Sequence, residues 1–151
     1  MDADRLRADL VRDEAVRLKP YRDSVGKLSI GVGRNLDDKG ISEAEAMMML
    51  DNDIAEHTAL LDKYLPWWAT LDETRQLALA NLAFNLGVGP SAEQPLGKLL
   101  TFHDTLKALQ NKEYDVVANH LSVTLWAKQV GARADRIIAA MRNGEPETRT
   151  A

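Results

Sequence analysis

The spacing of apolar residues predicts a chain built mainly of helices, with one short strand-like segment near its start. Apolar residues recur at helical spacing through residues 3–19, which predicts an N-terminal helix over that range. The pattern changes to alternation over 28–33, which is typical of a half-buried strand. Residues 23–27 have the composition of a turn, including a glycine that can adopt positive φ. We expect a β-hairpin over 20–36, with apolar side chains facing a core and Ser29 facing away from it.

Two capping boxes indicate where later helices begin. The pattern Ser42-x-x-Glu45 predicts a helix that runs to about residue 62. The pattern Thr70-x-x-Glu73 predicts a second helix, which is apolar on nearly every side from 77 to 86 and should be buried.

The last third of the chain predicts three or four shorter helices that end near residue 144. Before them, the loop 87–100 is rich in glycine and proline, which favours an irregular excursion. The polar residues 145–151 are expected to fray. The chain has no internal repeat or low-complexity linker, so the pattern indicates one domain over residues 1–151.

Composition excludes several classes of protein and site. With 45% hydrophobic and 28% charged residues, the chain has an ordinary globular composition. It has no cysteine, so a disulfide framework, a thiol nucleophile and a cysteine zinc site are excluded. The three histidines lack ligand spacing, so we expect no metal. A net charge of −4 gives no support for nucleic-acid binding, and no apolar run is long enough to span a membrane.

Two carboxylates and a hydroxyl follow one another as Glu14-x8-Asp23-x5-Ser29. A helix end, a turn and a hairpin could bring these three groups together. Taken singly, Glu14 could pair with Arg17 at the margin of the helix, and Asp23 could be a hydrogen-bonding turn residue. Taken together, they suit the cleavage of a glycosidic bond, in which one acid protonates the leaving oxygen and a second carboxylate activates water.

The residues around this motif resemble a known family. The string DEAVRLKPYRDSVGKLSIGVGRNL is similar to the catalytic segment of phage-type lysozymes, glycoside hydrolase family 24. TLDETRQLALANLAFNLG resembles the buried central helix of that family, and the resemblance continues through the C-terminal helices. It implies a mainly helical, lysozyme-like α+β fold with two lobes. A small lobe would cover about 13–60, and a helical lobe about 61–144 would also hold the N-terminal helix, with the glycan between the lobes.

The resemblance also implies a reaction. The chain would be an endolysin, an N-acetylmuramidase that hydrolyses the β-1,4 bond between N-acetylmuramic acid and N-acetylglucosamine with inversion. Glu14 would be the general acid, kept protonated near neutral pH by burial or by neighbouring acids. Asp23 would be the base toward a water molecule held by Ser29, where the family usually has threonine. No metal or cofactor is required.

Substrate contacts and biological setting follow from the same resemblance. Phe84 would line the cleft, and Asn35, Thr105 and His120 match substrate-contacting positions with different residue types. The partner would be bacterial peptidoglycan, bound by a monomer without stable membrane insertion. Because the N-terminus has no signal-peptide core, we expect synthesis in the host cytoplasm, release through a holin and action in the periplasm.

Three other functions remain possible at this point. A lytic transglycosylase would need only Glu14 and would leave a 1,6-anhydro product, but Asp23 and Ser29 at the family spacing argue against it. A non-catalytic glycan-binding module would be suggested by a missing carboxylate, and both are present. A helical protein-interaction domain would not explain the glycine-rich strand that follows the carboxylates.

Overall fold

A computed structural model describes residues 1–90 and 97–145, and it divides the chain into two units, Met1–Leu50 and the residues from Asp51 onward. Helices predominate, and a small antiparallel sheet lies in the first unit. The predicted α+β, mainly helical class is therefore confirmed. Residues 91–96 of the predicted loop and the last six residues of the predicted tail lie outside the described residues.

The first helix, α1 (Ala3–Glu14), is shorter than the sequence predicted. Asp2 caps its start by accepting hydrogen bonds from the backbone N–H groups of the first turn, at 3.0 and 3.1 Å. The helix ends because Ala15 adopts φ 61° and ψ 167°, which no α-helix allows. Beyond it, Pro20 disfavours helical geometry for the residue that precedes it. The predicted helix over 3–19 is thus wrong beyond Glu14.

The sheet contains three strands in the order β1 (Arg17–Arg22), β2 (Leu28–Gly31) and β3 (Arg34–Asn35). The predicted turn between β1 and β2 is confirmed, with φ 82° at its glycine. The predicted facing of β2 is wrong, because Ser29 is only 2% exposed. It lies in the central strand, paired with Tyr21 on one side and with Asn35 on the other. Ser29 is therefore more buried than the apolar residues Leu28 and Ile30 on either side of it.

A long helix, α2 (Glu43–Tyr64), begins at the predicted capping box and continues across the boundary between the units. The N–H of Glu45 donates to the Ser42 hydroxyl at 3.1 Å, and the N–H of Ser42 donates to the Glu45 carboxylate at 2.7 Å. These reciprocal bonds confirm the sequence signature. The buried residue of this helix is Leu61, which belongs to the core of the second unit.

The central helix of the second unit, α3 (Glu73–Leu86), does not begin at the predicted Thr70. A short 3-10 turn occupies Pro66–Thr70, and the Thr70 hydroxyl donates back into it. Asp72 caps α3 instead, accepting the N–H of Arg75 at 3.1 Å. The helix is buried along one side by Ala78, Leu79, Leu82 and Ala83, whereas Leu77 is 65% exposed, so it is not enclosed on every side.

Among the described residues of the second unit, four shorter α-helices follow α3, in agreement with the three or four predicted. They are α4 (His103–Gln110), α5 (Tyr114–Ser122), α6 (Leu125–Val130) and α7 (Ala132–Asn143). A single hydrophobic core joins them to α3, with fully buried leucines from α3, α4 and α5 at its centre. Burial of this kind contributes about 25 cal/mol per Å² of apolar surface. Because this core buries one side of α3, the opposite side of the helix remains exposed.

Candidate active site

The proposed acid, Glu14, is the last residue of α1, and its carboxyl group lies over a glycine. A Cβ atom placed on Gly33 would stand 2.9 Å from Oε2 of Glu14 and 3.1 Å from its Cδ. Gly33 also has φ 66°, a conformation that side chains other than glycine rarely adopt. The bare Cα of Gly33 is therefore what allows the Glu14 carboxyl group to lie against the turn after β2. Glu14 is exposed, so burial, one of the two causes expected to keep it protonated, is not found.

The proposed base, Asp23, is held in a defined orientation at the start of the hairpin turn. Its Oδ1 accepts the backbone N–H of Val25 at 3.0 Å and that of Lys27 at 2.9 Å. The backbone of Asp23 is bonded to the same turn, donating to the carbonyl of Lys27 and accepting from Gly26. Both side-chain bonds go to Oδ1, so the two backbone N–H groups fix the orientation of the carboxylate in the turn.

Ser29 lies on β2 of the same hairpin, six positions along the chain from Asp23. Its Cα partners are Tyr21 on β1 and Asn35 on β3. Asn35 has its own hydrogen bonds: its Nδ2 donates to Asp38 at 3.0 Å, and its Oδ1 accepts the N–H of Asp38 at 2.9 Å. The first unit thus contains the whole predicted triad, with two of its members on one hairpin and the third in contact with the turn that follows it.

An ion pair that sequence reasoning missed holds the segment after Gly33. Arg34 makes two hydrogen bonds to Glu45, at 2.8 and 2.7 Å, and donates to the carbonyl of Gly40 at 3.2 Å. The hydrogen bond from Arg34, followed by that from the Ser42 backbone, lowers the pKa of Glu45 to about 2. The capping box revealed Glu45 only as a helix-start residue, so its second partner, eleven positions away, gave no sequence signal.

The remaining predicted contacts lie in the second unit. Phe84 is on α3 and is 39% exposed, and its ring centroid is 5.2 Å from that of His57 on α2. Thr105 is half-buried on α4, and His120 is exposed on α5. Sequence analysis assigned no role to His57, because Phe84 is distant from it in the chain and the two rings come together only in the folded structure.

Comparison with known proteins places this arrangement in a family. The phage lysozyme family matches residues 11–143, which is most of the chain and includes all three members of the triad. The chain belongs to the phage lysozyme family. As a phage lysozyme it is a glycoside hydrolase-type enzyme, and peptidoglycan is the substrate that the family implies.

Relatives of this phage lysozyme include proteins of phages and of an amoeba. It is 26% identical to the pre-baseplate central spike protein Gp5 of Enterobacteria phage T4, over 92% of this chain and 28% of that protein. It is 25% identical to the probable T4-type lysozyme 1 of Dictyostelium discoideum, over 87% of this chain and 90% of that protein. It is 32% identical to the SAR-endolysin of Escherichia phage Mu, over 65% of this chain and 58% of that protein. The chain therefore spans less than a third of the spike protein but most of the amoebal one.

Residues 1–90 and 97–145 of this phage lysozyme carry neither a membrane-spanning helix nor a cluster of metal ligands. Within these ranges, no helix is both long and apolar enough to cross a bilayer. The same ranges contain no group of three or more histidine, aspartate or glutamate side chains placed to hold a metal ion.

Proposed function

We propose that this phage lysozyme is an N-acetylmuramidase that hydrolyses the β-1,4 bond between N-acetylmuramic acid and N-acetylglucosamine with inversion. The observation that carries the proposal is the contrast between two carboxyl groups of one unit. Glu14 is exposed and lies on the bare Cα of Gly33, whereas Asp23 is fixed through Oδ1 by two backbone N–H groups. An acid that reaches the leaving group and a base that is already oriented are what an inverting glycosidase needs.

In the proposed reaction, Glu14 donates its proton to the glycosidic oxygen as the bond to the anomeric carbon breaks. Asp23 accepts a proton through Oδ2 from a water molecule, whose oxygen bonds to the anomeric carbon from the opposite face. Ser29 helps to hold that water. A sugar ring seated over Glu14 would exclude solvent from the place where the proton is transferred. Phe84, Asn35, Thr105 and His120 are proposed as further substrate contacts.

The test is product analysis on purified peptidoglycan for the wild type, Glu14→Gln and Asp23→Asn. We expect reducing muramic-acid ends from the wild type and loss of nearly all activity in both variants. Nuclear magnetic resonance of the first product should show the inverted anomer. Anhydro-muramic ends that persist in Asp23→Asn would instead identify a transglycosylase. Binding without any product would identify a non-catalytic glycan-binding module.

The role of Ser29 has a separate test. Ser29 is buried at the centre of the sheet, so its hydroxyl is held by the strand and not by a mobile loop. We expect Ser29→Thr to keep activity because the hydroxyl is retained, and Ser29→Ala to lower kcat. Circular dichroism of each variant controls for folding. Equal kcat for serine, threonine and alanine at this position would remove Ser29 from the mechanism.

We also propose that the enzyme acts in host lysis as an endolysin. The similarity to the SAR-endolysin of phage Mu supports this role. The protein would act as a monomer that reaches the periplasm through a holin. Expression in a Gram-negative host, with and without a co-expressed holin, tests this route: lysis should require the holin, and lysis of equal speed without it would contradict the dependence.

A further inference from the structure

A groove in the second unit runs beside Phe84 and is not explained by the catalytic triad. Its volume is about 520 Å³, within the roughly 300–1,000 Å³ of small-molecule sites. One wall comes from α2 and the other from the segment that follows α3. The described lining consists of Glu56, His57, Leu60, Tyr64, Gly87, Val88, Gly89 and Pro90.

His57 presents a defined chemical surface to this groove. Its Nδ1 is 2.7 Å from the backbone carbonyl of Asp53. Because a carbonyl only accepts, Nδ1 carries the hydrogen, and in the neutral ring Nε2 is left as an acceptor. The ring also lies against Phe84, with an angle of 37° between the two planes. His57 and Phe84 therefore form one aromatic surface that carries a hydrogen-bond acceptor at its edge.

Hydrogen bonds hold the His57 ring and the part of α3 that carries Phe84. On either side of Phe84, two asparagines of α3 are bonded to other helices. Asn81 accepts from Nε of Arg133 at 2.9 Å, and Asn85 accepts from Nε1 of Trp126 at 2.7 Å. His57 is held by its bond within α2. A surface fixed in this way loses little conformational entropy on binding, which favours recognition by shape.

The chemistry of the groove suits an N-acetylated sugar ring. Such a ring has an apolar C–H face that packs on aromatic side chains, and an amide N–H and hydroxyl groups at its edge. Tyr64 and Glu56 add a hydroxyl and a carboxylate to the apolar wall formed by Leu60. We propose that His57 contacts the glycan beside Phe84, its Nε2 accepting a hydrogen bond from the sugar's amide N–H. The proposal rests on the muramidase function and deepens it by naming a specificity-determining residue.

Binding to a catalytically inactive protein tests this role without requiring turnover. In the Glu14→Gln background, the dissociation constant for chitotetraose is measured by calorimetry for His57→Ala, His57→Phe and Asn52→Ala. Asn52 is exposed on the same helix and does not line the groove, so its variant is the matched control. We expect the constant to rise about three- to tenfold for both His57 variants, the range of one lost neutral hydrogen bond, and to stay unchanged for Asn52→Ala.

Distinct results separate the failure of this inference from the failure of the proposed function. Equal affinity for His57→Ala and Asn52→Ala would overturn the contact even if the enzyme hydrolyses peptidoglycan. Affinity retained by His57→Phe but lost by His57→Ala would overturn the hydrogen bond. In the active protein, the lower glycan affinity of the His57 variants should raise KM and leave kcat nearly unchanged. A general loss of structure would lower the melting temperature as well.

Discussion

At the scale of single residues, the contact between Gly33 and Glu14 makes the strongest prediction. In Gly33→Ala the new methyl group would displace the Glu14 carboxyl group, because they would lie 2.9 Å apart. Gly31 is the matched control, since it has φ 69° and a methyl group added there would meet nothing within 4 Å. Both variants should lose about 1–2 kcal/mol of unfolding free energy, since both place a side chain at positive φ.

Only Gly33→Ala should lose activity on peptidoglycan, by roughly a hundredfold, because small displacements of a reacting group are costly. Urea unfolding and initial rates, measured on the same preparations, separate the two effects. Similar activities for the two variants would show that Gly33 serves the backbone alone.

Ala15 makes a second residue-scale prediction, of opposite sign. Its φ of 61° and ψ of 167° lie in a region used almost only by glycine. Ala15→Gly should therefore raise the unfolding free energy by about 1 kcal/mol, as the relief of strain exceeds the entropy that glycine adds to the unfolded chain. Ala59→Gly, at an exposed position inside α2, should lower it by a similar amount. If both variants are equally destabilised, Ala15 is not strained in solution.

At the scale of elements, the pair of Arg34 and Glu45 joins β3 to the start of α2 and predicts a dependence on pH. The pKa of Glu45 is lowered from 4.5 to about 2, so the pair stabilises the folded state fully above pH 4.5. This contribution is lost as the pH falls through about 2. The melting temperature of Glu45→Gln should lie below that of the wild type at pH 7, and the difference should close between pH 4.5 and 2.

The control for this prediction is Glu43→Gln, which removes an exposed charge from the same first turn without breaking the pair. At pH 7, the melting temperature of Glu43→Gln should differ less from that of the wild type than the melting temperature of Glu45→Gln does. If the difference in melting temperature between Glu45→Gln and the wild type persists unchanged at pH 2, the Glu45 side chain contributes by its shape and not by its charge.

Local signals and long-range contacts differ in how well the sequence revealed them. The capping contact between Ser42 and Glu45 could be predicted because both residues lie within one helical turn. The end of α1 could not, because alanine is a strong helix former and only the surrounding structure holds Ala15 in a left-handed conformation. The contact of Glu14 with Gly33 joins residues far apart in the chain, so the sequence motif identified the acid but not the glycine that its carboxyl group contacts.

At the scale of the whole molecule, the sign of the charge bears on how the enzyme meets its substrate. The chain carries a net charge of −4, and peptidoglycan is itself anionic, so the average field opposes their encounter. Added salt shortens the range of this repulsion, to about 10 Å at 0.1 M. We expect the rate on peptidoglycan to rise as salt increases from about 10 to about 150 mM.

Exposed cations on the last two helices would favour the opposite dependence of the rate on salt. Lys128 on α6 and Arg136 on α7 are exposed, and a wall contact made through them would weaken with salt. Affinity for uncharged chitotetraose is the control and should be independent of salt. A rate on peptidoglycan that falls with salt, and loses this fall in Lys128→Glu and Arg136→Glu, would show that these local charges outweigh the net charge. A rate that rises would show that this lysozyme binds its anionic wall through sugar contacts rather than through electrostatic steering.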